Sequence, residues 1–157
     1  MALTDVPSAA SDLNVRYRRH RRGAWAAALT WGVVVSALHF AGLAYGIYSE
    51  LWWWDLLTHF TSGFGVAALL YLAWTEGFRS RIGLFVVLPV CVLCIGTWFE
   101  VYERLFKDFW YGWSNAFYLE DTAIDLVVDT LGAVAFGVVL RTYSRVRRSR
   151  ASDRRQP

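Results

Sequence analysis

An all-α membrane protein, built as an antiparallel bundle of four transmembrane helices with an interfacial aromatic segment between spans three and four, is the architecture this sequence predicts. Three observations lead to it. The 157 residues are 56% hydrophobic and 18% charged, whereas soluble domains carry about 25% charged residues. Four apolar runs each approach the roughly 20 residues that carry a helix across about 30 Å of hydrocarbon. The 16 Lys and Arg residues crowd the ends of these runs. Nine Trp, eight Tyr, ten Phe and only three Pro exclude a disordered chain, which is poor in core-forming residues. Two cysteines exclude a disulfide scaffold.

The spans are expected at 24–47, 55–75, 82–103 and 122–143, with basic tails at 1–23 and 144–157. Backbone inside a bilayer must satisfy its own hydrogen bonds, so runs of this length are helices, and no period-2 barrel pattern competes. A basic N-region before an apolar run resembles a secretory signal, but at 24 residues the run exceeds a signal's core of about 7–15 and reads as a retained anchor. Cys91 and Cys94 lie in mid-span without further ligands at zinc-ribbon spacing and read as packing residues. Gly63, Gly65, Gly132 and Gly137 read as points of close helix approach.

Charge gives the orientation. Arg16, Arg18, Arg19, Arg21 and Arg22 precede the first span, Arg79 and Arg81 follow the second, and seven arginines from Arg141 to Arg155 end the chain; only Arg104 and Lys107 fall on the opposite side. Because cationic loops stay on the cytoplasmic side, both termini are expected there, in a multi-pass plasma-membrane protein. The arginine tails then meet anionic lipid headgroups and not nucleic acid. The outer side is instead aromatic, with Trp52, Trp53 and Trp54 before span two and Phe106, Phe109, Trp110, Tyr111, Trp113, Phe117 and Tyr118 between spans three and four. Such rings favour the headgroup layer, so 104–121 is expected to lie along the surface.

The acidic residues are more telling. Asp55 and His59 are four apart on span two, Glu100 and Glu103 three apart on span three, and Asp121, Asp125 and Asp129 step by fours along span four; each set shares a helix face. At about 1.5 Å per residue, His59, Glu100 and Asp125 lie roughly 5–6 Å beneath a rim of Asp55, Glu103 and Asp121. Asp129 lies about 12 Å beneath it, near the level of His39 on span one. Ionisable groups at such depth are costly and mark function.

Like charges converging in a low-dielectric site need compensation, from shared protons, from Arg104 or Lys107 folding back, or from a bound cation. Carboxylates with imidazole suit a divalent metal, whose identity the ligand types leave open. Asp55, Asp121 and Asp125 are expected near helix N-termini, which favour negative charge, and Glu100 and Glu103 near a C-terminus, which does not; the glutamate pair points most strongly to a cation. Asp55, His59, Glu100 and Asp125 are the candidate ligands, His39 and Asp121 secondary ones, and Glu103 or Asp129 the candidate general base. Structural readings stand beside these. Thr122 with Asp125 has capping-box spacing, Asp55 serves equally to start span two, and a lone intramembrane histidine such as His39 serves as a hydrogen-bonded packing residue.

W-W-W-D-L-L-T-H-F-T-S-G on span two, F-E-V-Y-E on span three and D-T-A-I-D-L-V-V-D-T-L-G-A on span four resemble the small integral-membrane YjdF-like family and, more distantly, the VanZ-like proteins. The similarity covers about residues 30–140. It implies a helical bundle with polar motifs on successive spans, with Asp55, His59, Glu100, Glu103, Asp121, Asp125 and Asp129 as motif positions, and no established reaction. Two function classes follow from the residues. In one, a metal activates water against a lipid or lipid-linked substrate, as in a metal-dependent membrane hydrolase or transferase. In the other, the same groups form a proton or cation relay in a transporter, or a polar network in an accessory subunit.

Overall fold

The computed structural model of the chain describes residues 9–107 and 111–153. Asp108, Phe109 and Trp110 of the expected interfacial segment lie outside the described residues, as do Arg154 and Arg155 and the side chains of Arg16, Arg18, Arg19 and His20. These residues form six α-helices in order: α1 Ala9–Ala44, α2 Ile47–Glu50, α3 Trp53–Ala73, α4 Thr75–Phe78, α5 Leu88–Phe106 and α6 Asn115–Asp153. A π-helical segment, Gly83–Val87, leads directly into α5. There is no strand among the described residues. Among the described residues four stretches are long and apolar enough to cross a membrane: Arg21–Ala44, Trp53–Ala73, Gly83–Phe106 and Asn115–Arg147. By the alternation of the four spans, the start of the first and the end of the fourth lie at one face of the bundle, the terminal face, and the 45–52 connection and the start of α6 lie at the other, the far face.

Helix ends differ from the expected ones for local reasons. The first span stops at Ala44 because Gly46 takes the left-handed conformation, φ 66°, which glycine adopts without a Cβ penalty, and the chain turns there into α2. The fourth span begins seven residues early, at Asn115. Ser114 starts it by accepting the Phe117 N–H on its hydroxyl at 3.2 Å and the Tyr118 N–H on its carbonyl at 3.0 Å, which satisfies first-turn donors. The connection between the third and fourth spans is therefore shorter than expected, and Phe117 and Tyr118 are helical. Thr122 and Asp125 are interior to α6 and do not cap it. In the third span the Leu88 N–H reaches back five residues to the Gly83 carbonyl, and Pro89, which has no N–H to donate, follows at once. A π turn thus takes the place of a proline kink.

Helix α6 packs against α3 and α5, α1 packs against α3, and α3 also touches α5. Toward the terminal face Ala67, Phe78, Leu84, Leu88, Val92 and Ala133 form the apolar core. Glycines bring α3 and α6 into backbone contact. A Cβ on Gly63 would overlap the Asp129 carbonyl, and one on Gly132 would overlap the Phe60 carbonyl. This small-residue seam fixes what faces what one turn further toward the far face.

Candidate functional site

His59 lies one turn from Gly63 on α3, and Asp129 and Asp125 lie successive turns from Gly132 on α6, so the backbone contact delivers the imidazole between two carboxylates. Asp55, a further turn along α3, closes the third side. The His59 Nε2 atom is 3.6 Å from Asp55 Oδ1 and 3.7 Å from Asp125 Oδ2, while Nδ1 is 3.5 Å from Asp129 Oδ1. Asp125 and Asp129 retain 4% and 7% of their surface. They face the bundle interior, while Val127 and Leu131 on the same helix face outward.

These separations exceed the about 2.7–3.2 Å of an N–H···O bond. They resemble the edges of a coordination sphere, since ligands about 2.0–2.2 Å from a tetrahedral zinc-like ion stand about 3.3–3.6 Å apart. One ligand atom from each of Asp55, His59 and Asp125 fits within a mutual distance of 4.8 Å. Asp129 is not in that group and meets the opposite ring nitrogen. Its place is that of the carboxylate that commonly fixes the tautomer and orientation of a metal-binding histidine.

Glu100 reaches the same interior from α5, and the Thr122 hydroxyl donates to its Oε2 at 3.1 Å. The Tyr118 phenol donates to its backbone carbonyl at 3.2 Å. Glycine makes room here too, for a Cβ on Gly96 would stand 2.8 Å from Asp129 Oδ2. Glu103 and Asp121 are half-buried nearer the far face. His39 is not among the clustered groups. Its Nδ1 is 2.7 Å from the Tyr48 phenol, which donates to Thr58 Oγ1 at 3.3 Å, and Thr58 donates to the Asp55 carbonyl at 2.9 Å. A carbonyl only accepts, so every donor in the chain points toward Asp55 and His39 must carry its proton on Nδ1. Burial pushes the Tyr48 phenol up from its ordinary value, which keeps it a donor. The chain ends at that carbonyl, so it braces the Asp55 turn between α1, α2 and α3 and conducts no proton beyond it.

Charge is the unresolved quantity in the cluster. Three carboxylates touch one imidazole, so full ionisation leaves a formal deficit of two positive charges with the ring protonated and three with it neutral. Helix-terminal dipoles offer less relief than expected. Asp121 and Asp125 lie six and ten residues into α6, beyond the first turn where the dipole acts, and only Asp55 keeps a first-turn place. Arg104 engages Asn115 at 3.5 Å and lies 4.6 Å over the Tyr118 ring.

Sequence reasoning missed Tyr48, for which no local pattern exists, and read Thr122 as a cap when it serves Glu100. The one signal for Thr122 was its distance from the aromatic segment: with Ser114 recognised as the helix start, Thr122 falls two turns inside, level with Glu100. Neither a curated protein nor a solved structure matches the chain. A family model described as "Predicted membrane protein (DUF2238)" matches residues 9–146, which takes in the first three spans, the fourth up to Val146, and every residue of the cluster. In agreement with the YjdF-like resemblance of its motifs, the chain belongs to this family of membrane proteins.

Proposed function

We propose that the chain holds a divalent metal ion on Asp55, His59 and Asp125, beneath the external face of a plasma membrane in which both termini are cytoplasmic. One observation carries this reading: His59 presents Nε2 to two carboxylates from different helices at ligand-to-ligand spacing while Nδ1 meets a third. With the ring neutral, as ligation at Nε2 requires, a divalent ion offsets two of the three formal negative charges. Asp129 is the positioning residue for the ring, and Glu100, whose Oε2 accepts from Thr122, stands outside the three-ligand group.

Three protein ligands leave a coordination position open, the arrangement of catalytic sites and not of closed structural ones. Water in such a position becomes a nucleophile at neutral pH. Glu103, in the last turn of α5, is the group we assign to accept its proton. The exposed Trp52, Trp53 and Tyr111 at this face suit the headgroup layer, so a lipid or lipid-linked ester fits the position of the site. Metal analysis of the purified full-length protein is the test. We expect one equivalent in the parent and loss of it in both His59→Ala and Asp125→Ala; unchanged metal in both variants refutes the site. Release of headgroup or fatty acid from phospholipid vesicles by the metal-loaded parent, absent in Glu103→Gln with metal retained, tests the hydrolytic step separately.

A further inference from the structure

At the opposite end of the bundle from the acidic cluster, a groove of about 340 Å³ opens between α1, α3 and α6. Its cause is compositional. Ala24, Ala27 and Ala28 put one methyl each on the face of α1 where larger side chains would close the gap to Ala68, Leu72, Phe136 and Leu140. The roof is Trp31, whose indole N–H donates to the Thr61 carbonyl at 3.0 Å and whose ring packs 5.4 Å from Phe64. Gly65 admits that ring, for a Cβ there would stand 2.8 Å from Trp31 Cδ1. Tyr71 and Phe136, 5.8 Å apart, form the far wall. The groove is therefore a shaped cleft with a fixed upper end, its volume within the range of about 300–1,000 Å³ typical of small-molecule sites.

Its surroundings select the occupant. The groove lies within the spans, at hydrocarbon depth, and its lining is almost wholly apolar, so water has no partners there. Beyond its lining, toward the terminal face, two arginines continue the helix faces that form its walls. Arg21 is three residues before Ala24 and seven before Ala28, on the same face of α1, and Arg147 is seven after Leu140 and eleven after Phe136, on the same face of α6. Both are exposed. An apolar slot closed above and flanked below by cations from two helices matches one amphiphile, with a tail that fills the slot and an anionic head at its mouth.

We propose that this groove binds one anionic phospholipid of the terminal-side leaflet, an acyl chain lying under Trp31 and the phosphate held by Arg21 and Arg147. The site is separate from the proposed metal centre and does not depend on it.

Native mass spectrometry of the full-length protein in mild detergent, titrated with phosphatidylglycerol or phosphatidylcholine of equal chain length, tests the proposal. We expect one phosphatidylglycerol per chain, bound at least fivefold better than phosphatidylcholine. Arg21→Gln is expected to weaken it about fivefold, the effect of one cation at a membrane surface. Ala27→Trp, at an exposed groove position, is expected to weaken it at least tenfold with helical circular dichroism and bound metal unchanged. Ala24→Trp carries the same comparison at the mouth and decides the matter should the Ala27 variant fail to fold. Equal retention of the two lipids, undiminished phosphatidylglycerol binding in the folded tryptophan variant, or a dimer of chains that this variant dissociates would each overturn the proposal, the last by showing that a second copy covers the groove.

Discussion

Replacing Asp129 with asparagine separates the two sides of the His59 ring. The Asp129 carboxylate contacts Nδ1 at 3.5 Å and lies outside the three-atom group around Nε2, so D129N leaves every ligand in place and removes only the charge that orients the imidazole and favours Nδ1–H. Loss of such an outer partner costs about 10–100-fold in metal affinity, or about 1.4–2.8 kcal/mol. Loss of a ligand costs more. Structural zinc sites with four ligands bind with about 10–16 kcal/mol in total, so one ligand's share is about 2.5–4 kcal/mol, and D125A is expected to exceed D129N by nearly tenfold. Competition for zinc against a chelating dye, on detergent-purified variants of matched helical content, measures both. A D129N affinity within twofold of the parent would show that the ring is oriented by something else. A loss as large as that of D125A would make Asp129 a ligand.

Gly96→Ala acts on the same carboxylate from α5. The new methyl would stand 2.8 Å from Asp129 Oδ2, the mobile end of a side chain, so the same titration is expected to show about a tenfold loss of affinity without loss of fold. Gly63→Ala differs because its methyl meets the Asp129 backbone; overpacking of this kind costs about 1–3 kcal/mol, to be read as an earlier midpoint in denaturing-detergent unfolding, with metal binding reduced as well. Topology is checked by single cysteines in a Cys91→Ala, Cys94→Ala background. Gly112→Cys, where a Cβ has nothing within 4 Å, is expected to react with an impermeant maleimide on intact cells, and Arg150→Cys only after lysis; the reverse pattern would invert the proposed orientation.

The four helices were legible because hydrocarbon thickness imposes a length that polar loops interrupt visibly. Their ends were not, since ends depend on single residues: the positive φ at Gly46, the Ser114 cap set among aromatic neighbours, and the π turn ahead of Pro89. Within the cluster, four-residue spacing placed Asp55 with His59 and Asp125 with Asp129, because that spacing is the helix itself. How the two helices face each other is a tertiary fact. Gly63 and Gly132 were readable as points of close approach, but nothing local says that they approach one another. The matched depths of His39 and Asp129 likewise could not show that Tyr48 stands beside His39 and ties it to the Thr58 turn.

The contact at Gly63 and Gly132 does more than let two helices draw near. Asp121, Asp125 and Asp129 repeat once per turn, and a ladder of identical rungs carries no address: slid by one step, about 6 Å along its axis at 1.5 Å per residue, α6 would offer His59 the pair Asp121 and Asp125 with the same chemistry. Sequence periodicity therefore permits several alignments of nearly equal electrostatic merit. The interlocked glycines reject all but one, because at any other setting bulkier residues would have to occupy the seam. Two residues with no side chain thus select which aspartates the histidine meets.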